Sequence, residues 1–145
     1  MIKKIKEIIK TKKEIITYII FGALTTLINL LVYYLLTNTI LDPKNDLLMQ
    51  LANTIAWIIS VLFAYITNKL YVFNSKTKQI LKELLSFISS RILTLLIEIF
   101  LMYILVTRLK QNDQIIKLLV TIIVIILNYI LSKIYVFKQT KNTDN

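Results

Sequence analysis

Apolar positions fill the 145-residue chain in four long runs, Ile15–Leu36, Leu47–Asn68, Leu84–Thr107 and Ile115–Ser132, and polar positions collect between them. A helix needs roughly 20 apolar residues to cross the hydrocarbon core of a bilayer. Each run meets or nearly meets that length, and the shortest, the fourth, can borrow from Ile134–Phe137. The pattern predicts an all-α membrane protein with four transmembrane helices, at about 15–36, 47–68, 84–107 and 115–132. Leu41-Asp-Pro-Lys-Asn-Asp46 is a turn cluster between the first two runs. Residues 1–14 space Ile2, Ile5, Ile8 and Ile9 on one helical face among lysines, the pattern of an interfacial segment on an anionic leaflet. No small-residue cleavage site follows the first run, so that run reads as a retained anchor. Residues 138–145 read as a polar tail.

The runs are not independent of one another. Phe63-Ala-Tyr-Ile-Thr-Asn-Lys-Leu-Tyr-Val-Phe73 closes the second run, and Leu127-Asn-Tyr-Ile-Leu-Ser-Lys-Ile-Tyr-Val-Phe137 closes the fourth, with six of eleven positions identical. Between the first and third runs, Tyr18 aligns with Phe87, Thr25 with Thr94, Ile28 with Ile97, and Asn29 with Glu98. The duplicated unit is therefore a two-helix hairpin, and two such hairpins make a parallel repeat. Domain organisation follows: a basic segment over 1–14, a four-helix transmembrane domain over 15–137, and the tail.

Charge sets an orientation. Of eighteen Lys and Arg, thirteen fall before the first run, in the connector after the second (Lys69, Lys76, Lys78, Lys82) or at the end (Lys133, Lys138, Lys141). Four alternating helices put all of these on one side, and the positive-inside rule makes that side, with both termini, cytoplasmic. A net charge of +10 distributed this way fits a lipid-facing rim better than a nucleic-acid surface. An apolar content of 57% excludes an ordinary soluble domain.

Little catalytic equipment is present. The chain has no Cys and no His, and most of its eight carboxylates lie outside the apolar runs. No metal, cofactor or catalytic residue is expected, and the chain is not expected to be an enzyme.

The candidates are the polar groups inside the runs. Phe87, Arg91, Thr94 and Glu98 share one face of the third helix, since steps of three and four keep residues in line. An ionisable group at mid-bilayer costs about 2.5–3.5 kcal/mol on insertion scales. Arg91 either snorkels to the cytoplasmic headgroups or offers its fork to a phosphate. Glu98 either stays neutral or helix-bonded, or steadies Arg91 or a sugar hydroxyl, or changes protonation. Lys117 is either an interfacial anchor or a second phosphate station. Asn68 and Asn128 either hydrogen-bond between helices or contact substrate. Gly22, the only glycine, suggests close helix approach, and Trp57, Ala64 and Asn68 share a stripe on the second helix.

Taken together, Tyr18-Ile-Ile-Phe-Gly-Ala-Leu-Thr-Thr-Leu-Ile-Asn29, Ala64…Asn68-Lys69…Tyr71-Val72-Phe73, Phe87…Arg91…Glu98 and Asn128…Lys133…Tyr135-Val136-Phe137 resemble the GtrA-like family. These are small four-span proteins associated with cell-surface polysaccharide glycosylation. The resemblance covers nearly everything after residue 14, with Ser132 departing from Asn68 between the copies. It implies a multi-pass protein of a bacterial cytoplasmic membrane. The implied activity is translocation of a polyprenyl-phosphate-linked monosaccharide, an undecaprenyl-phosphate sugar, for decoration of teichoic acid or O-antigen. Separate cytoplasmic and outer-face glycosyltransferases would load and unload the carrier.

On that reading the substrate-binding residues are Arg91 with Lys69 or Lys133 inside and Lys117 outside, together with Asn68, Asn128 and Glu98. Ala64, Val72, Phe73 and Phe87 would shape a groove between helices. Four helices leave little room around a sugar, which raises a homodimer as a candidate assembly. Partners are then the sugar lipid, membrane lipids and glycosyltransferases. The competing reading is a non-transporting membrane subunit that anchors or organises a glycosyltransferase.

Overall fold

A computed structural model describes residues 2–42, 44–110 and 112–137; Met1, Pro43, Gln111 and the tail from Lys138 lie outside the described residues. Among the described residues, four helices are long and apolar enough to cross a membrane: Lys4–Thr39, Asp46–Val72, Ile80–Arg108 and Gln114–Val136. The regular α-helical parts are α1 (Ile2–Thr39), α2 (Asp46–Thr67), α3 (Ile80–Met102) and α4 (Asp113–Leu131). They fall into two compact units, Met1–Asn74 and Ser75–Asn145.

Unit one is an antiparallel hairpin. Tyr18 faces Phe73, Phe21 stacks on Tyr71 at 5.3 Å, and Asn29 donates to Ser60 Oγ at 3.3 Å, so partners on α2 and the turn that follows it fall in number as those on α1 rise. The buried face of α2 is Ala52, Ala56, Ser60 and Ala64, at steps of four, with Asn68 next in line. Small side chains there let the two backbones approach, which is how helices associate in lipid. Trp57 is exposed and stands beside this row rather than in it, a correction to the stripe expected from spacing alone. A Cβ at Gly22 would meet nothing within 4 Å, so close approach does not depend on that glycine.

Unit two repeats the arrangement. Phe87 packs on Phe137 with ring centroids 6.2 Å apart and 56° between planes, matching Tyr18 on Phe73 at 6.5 Å and 58°. These are the same repeat positions in both units. In each hairpin the end where the first helix starts and the second finishes is called the open end below, and the other the turn end.

The helix ends differ in detail from the runs. α1 is one 38-residue helix, about 57 Å at 1.5 Å per residue, so its basic first turns and its apolar run form one rod. Nothing in residues 2–14 breaks a helix: they contain no Pro or Gly, and lysine is a good helix former. Beyond Thr67, Met102 and Leu131 the backbone continues as π-helical turns, Asn68–Val72, Tyr103–Arg108 and Ser132–Val136. Each turn closes with an N–H reaching five residues back: Phe73 to Asn68, Leu109 to Ile104, Phe137 to Ser132. The fourth span thereby gains the length its run lacked. After the first two of these turns the chain reverses through left-handed residues, Asn74 (φ 49°) and Lys110 (φ 50°), which stop the helix. The second helix of each hairpin begins with an Asn cap. Asn45 Oδ1 accepts from the Leu47 and Leu48 amides, and Asn112 Oδ1 from those of Gln114 and Ile115.

Several threonine hydroxyls in the spans are settled within their own helices. Thr25 donates to the Phe21 carbonyl at 2.8 Å, Thr26 to that of Gly22 at 3.2 Å, and Thr121 to that of Lys117 at 2.7 Å. Hydrocarbon supplies no partner, so a polar group in a span must find one inside the protein.

Candidate functional site

At the open end of unit two, Phe87 is fully buried against Phe137, and the Arg91 guanidinium carbon lies 4.7 Å from the Phe87 ring centroid. A helical side chain leans toward the N-terminus of its helix, so the i to i−4 contact aims Arg91 at the open end. The cation–π contact is worth about 0.5–2 kcal/mol, more where water is excluded. It seats the guanidinium on the ring, and a guanidinium carries five donors in a fixed fork that suits a carboxylate or phosphate. Lys133, on the turn Ser132–Val136, donates to the Tyr129 hydroxyl at 3.0 Å and lies 5.4 Å from the same ring.

The middle of unit two is tied by neutral polar groups. Thr94 Oγ1 donates to Asn128 Oδ1 at 2.8 Å, joining α3 to α4. Asn128 thus does form a helix-to-helix bond. Such bonds in membranes average about 0.6 kcal/mol and reach about 1.7. Thr94→Val is expected to lower stability by about that much, read as a small drop in thermal midpoint in detergent, with the helical content unchanged.

Toward the turn end, Lys117 forms an ion pair with Glu98 across the hairpin. The expectation that Glu98 steadies Arg91 is corrected here: the two lie two turns apart on α3, and the carboxylate goes to α4. The pair is not enclosed, with 57% of the Lys117 side chain and 22% of the Glu98 side chain exposed. Among the described residues, neither side chain has another polar partner.

Asn68 behaves differently from Asn128. It opens the turn Asn68–Val72 and is buried, and its Nδ2 donates to the Ala64 carbonyl of its own helix at 2.7 Å. Its Oδ1 has no partner, and neither has the Oγ of fully buried Ser132, its repeat equivalent. Lys69 is half-buried on the same turn, with Val72 buried and Phe73 half-buried against Tyr18. The expected residues therefore form three groups. Ala64, Asn68, Lys69, Val72 and Phe73 are at the open end of unit one. Phe87, Arg91 and Lys133 are at the open end of unit two. Glu98 and Lys117 are toward its turn end, with Asn128 between.

One residue escaped the sequence reading. Glu83 is 2% exposed, and its carboxylate accepts from Ser75 Oγ at 2.5 Å. Its signal was spacing: Glu83 stands one turn before Phe87 on the buried face of α3, with Ser90 and Thr94 further along it. A polar connector hid that signal.

Comparison with known proteins places this geometry in a family. The model of the GtrA/DPMS transmembrane domain matches residues 17–137. The uncharacterized membrane protein YwcD of Bacillus subtilis is 44% identical over 128 residues, covering 86% of this chain and 96% of its own. The cell wall teichoic acid glycosylation protein GtcA of Listeria monocytogenes is 42% identical over 131 residues, covering 88% and 87%. Its counterpart in Listeria innocua is 41% identical over the same span and shares. With four helices fit to cross a membrane and relatives of this kind, the chain is a bacterial multi-pass membrane protein belonging to the GtrA/DPMS transmembrane-domain family.

Proposed function

We propose that this protein serves cell wall teichoic acid glycosylation by moving a polyprenyl-phosphate-linked sugar from the cytoplasmic to the outer leaflet. The observation that carries the reading is a pair of cations at two depths of one hairpin. Arg91 leans over Phe87 toward the open end, and Lys117 meets Glu98 toward the turn end. Phe87 and Glu98 are eleven residues apart on α3, roughly 16 Å along the axis. A hydrocarbon core of about 30 Å is thereby divided into shorter steps for a phosphate. The names of the Listeria relatives point to the same process.

In this mechanism both termini are cytoplasmic, the orientation that the lysine distribution favours, so the open ends face inward. Arg91, assisted by Lys133 of the same hairpin, receives the phosphate; Lys117 receives it on the far side. Asn128 contacts the polar headgroup and Phe87 gives its path an apolar wall in this hairpin; Asn68, with Ala64, Val72 and Phe73, offers the corresponding surface on the other. The polyprenyl tail stays in lipid throughout. Glycosyltransferases on either side make and break the bonds, and the protein supplies passage.

The test is reconstitution of the purified chain in vesicles with a labelled short-chain polyprenyl-phosphate sugar. Protein-containing vesicles are expected to redistribute the label between leaflets within minutes, while empty vesicles retain it. Equal retention in both would overturn the transport reading. It would favour the glycosyltransferase organiser if the chain then co-purified with such an enzyme.

A further inference from the structure

We propose that the Glu98 carboxylate is a built-in competitor for the lipid phosphate: it occupies Lys117 in the resting protein and yields it when a phosphate arrives. This rests on the transport reading above and adds a named exchange partner to it.

The repeat supplies the first argument. Asn29 occupies the repeat position of Glu98, and Asn53 that of Lys117. Unit one therefore builds the same hairpin with neutral amides where unit two has opposite charges. There Asn29 donates to Ser60, and Asn53 is exposed. Packing of the hairpin does not call for the ion pair.

The construction of the pair supplies the second. A carboxylate kept for structure in a nonpolar setting has its remaining lone pairs satisfied by further donors. Glu98 receives none beyond Lys117, and Lys117, more than half exposed, keeps donors for another anion. An ammonium can pass between anions because it is a point charge with three donors and no fixed fork.

The energetics supply the third. A carboxylate left unpaired within the span is costly, and Lys117 removes that penalty for Glu98 while no substrate is bound. Exchanging a carboxylate for a phosphate keeps Lys117 paired before and after the step. The returning carboxylate then helps expel the phosphate. Glu98 is thus a positioning residue for release as well as a counter-ion at rest.

Glu98→Gln separates this from a structural role. In phosphatidylcholine nanodiscs, the variant is expected to bind a short-chain polyprenyl phosphate roughly tenfold tighter than the parent protein, within the usual range for coupled sites. In vesicles it should move the sugar lipid several-fold more slowly, because release is impaired. Binding and turnover change in opposite directions, whereas a structural defect lowers both. Adding Lys117→Met to Glu98→Gln should erase the gain in affinity. Unchanged or weaker binding by Glu98→Gln, with transport intact in the parent protein, would sink the exchange alone. Absence of transport in the parent would instead sink the function it rests on. Repeating the measurement with phosphatidylglycerol or inorganic phosphate as competitor tests the source of the anion. Failure of either to compete at equal concentration supports the sugar-carrier lipid. Full competition by either would overturn that assignment in favour of a general phosphate site.

Discussion

Replacing Arg91 by Ala is expected to lower sugar-lipid transport about a hundredfold while changing stability little. Hydrogen bonds to a charged group contribute about 1.5–3 kcal/mol each. Losing a two-pronged contact to phosphate thus removes roughly 3 kcal/mol, or two powers of ten. On the stability side, the contacts Arg91 makes within the protein, the cation–π contact with Phe87 among them, are offset by the penalty for holding a charge in the span, so deletion changes stability little. Arg91→Lys should fall between, near a tenfold loss, because the charge survives but the planar fork and its seat on the ring do not. Thermal unfolding in detergent alongside vesicle transport reads both quantities. Full transport by an Arg91→Ala protein at normal levels would remove Arg91 from the mechanism. A matched loss of stability and transport would make it a packing residue.

The spans and the hairpins were legible in the sequence for a physical reason: lipid demands long apolar runs, and a duplication announces itself twice. The repeat even anticipated which aromatics meet, since Tyr18 and Phe87 align and each packs on the Phe ending its own unit. Helix ends were less legible. Asn68 and Ser132 look like stops in a hydropathy pattern, yet the backbone turns on through Tyr-Val-Phe. The N-terminal lysines mark a change of solvent but not a change of conformation, so α1 runs through them.

The candidate site was legible in its members and not in its pairings. Periodicity reports which residues share a face of one helix, and it put Glu98 in line with Arg91. Which residue of another helix reaches that face depends on hairpin register and side-chain length, and Lys117 does so from nineteen positions away. Trp57 failed in the opposite sense. It is in step with Ala64, but the Ala52, Ala56 and Ser60 row was the face that could approach α1. Size, not periodicity, chose the interface.

The asymmetry of the Glu98–Lys117 pair leads to the second large effect. Lys117→Met is expected to destabilise the protein by about 2–3 kcal/mol, whereas Glu98→Gln should cost much less. Lys117 lies four residues into α4, roughly 6 Å from its start, and its long side chain can turn to the headgroups when its partner is gone. Glu98 lies ten residues short of the end of its span at Arg108, roughly 15 Å, and its side chain is too short to follow. Removing the lysine therefore strands a carboxylate in hydrocarbon, close to the penalty for a charge at depth. Adding Glu98→Gln to Lys117→Met should recover most of the lost stability, because the stranded charge disappears. It should not recover transport, because the station on the far side is still missing. Thermal midpoints of the four proteins form a double-mutant cycle that isolates the pair, and their vesicle transport rates form a second. Equal destabilisation by both single variants would place the pair in water and remove the depth argument. Recovery of transport in the double variant would show that Lys117 serves only to neutralise Glu98.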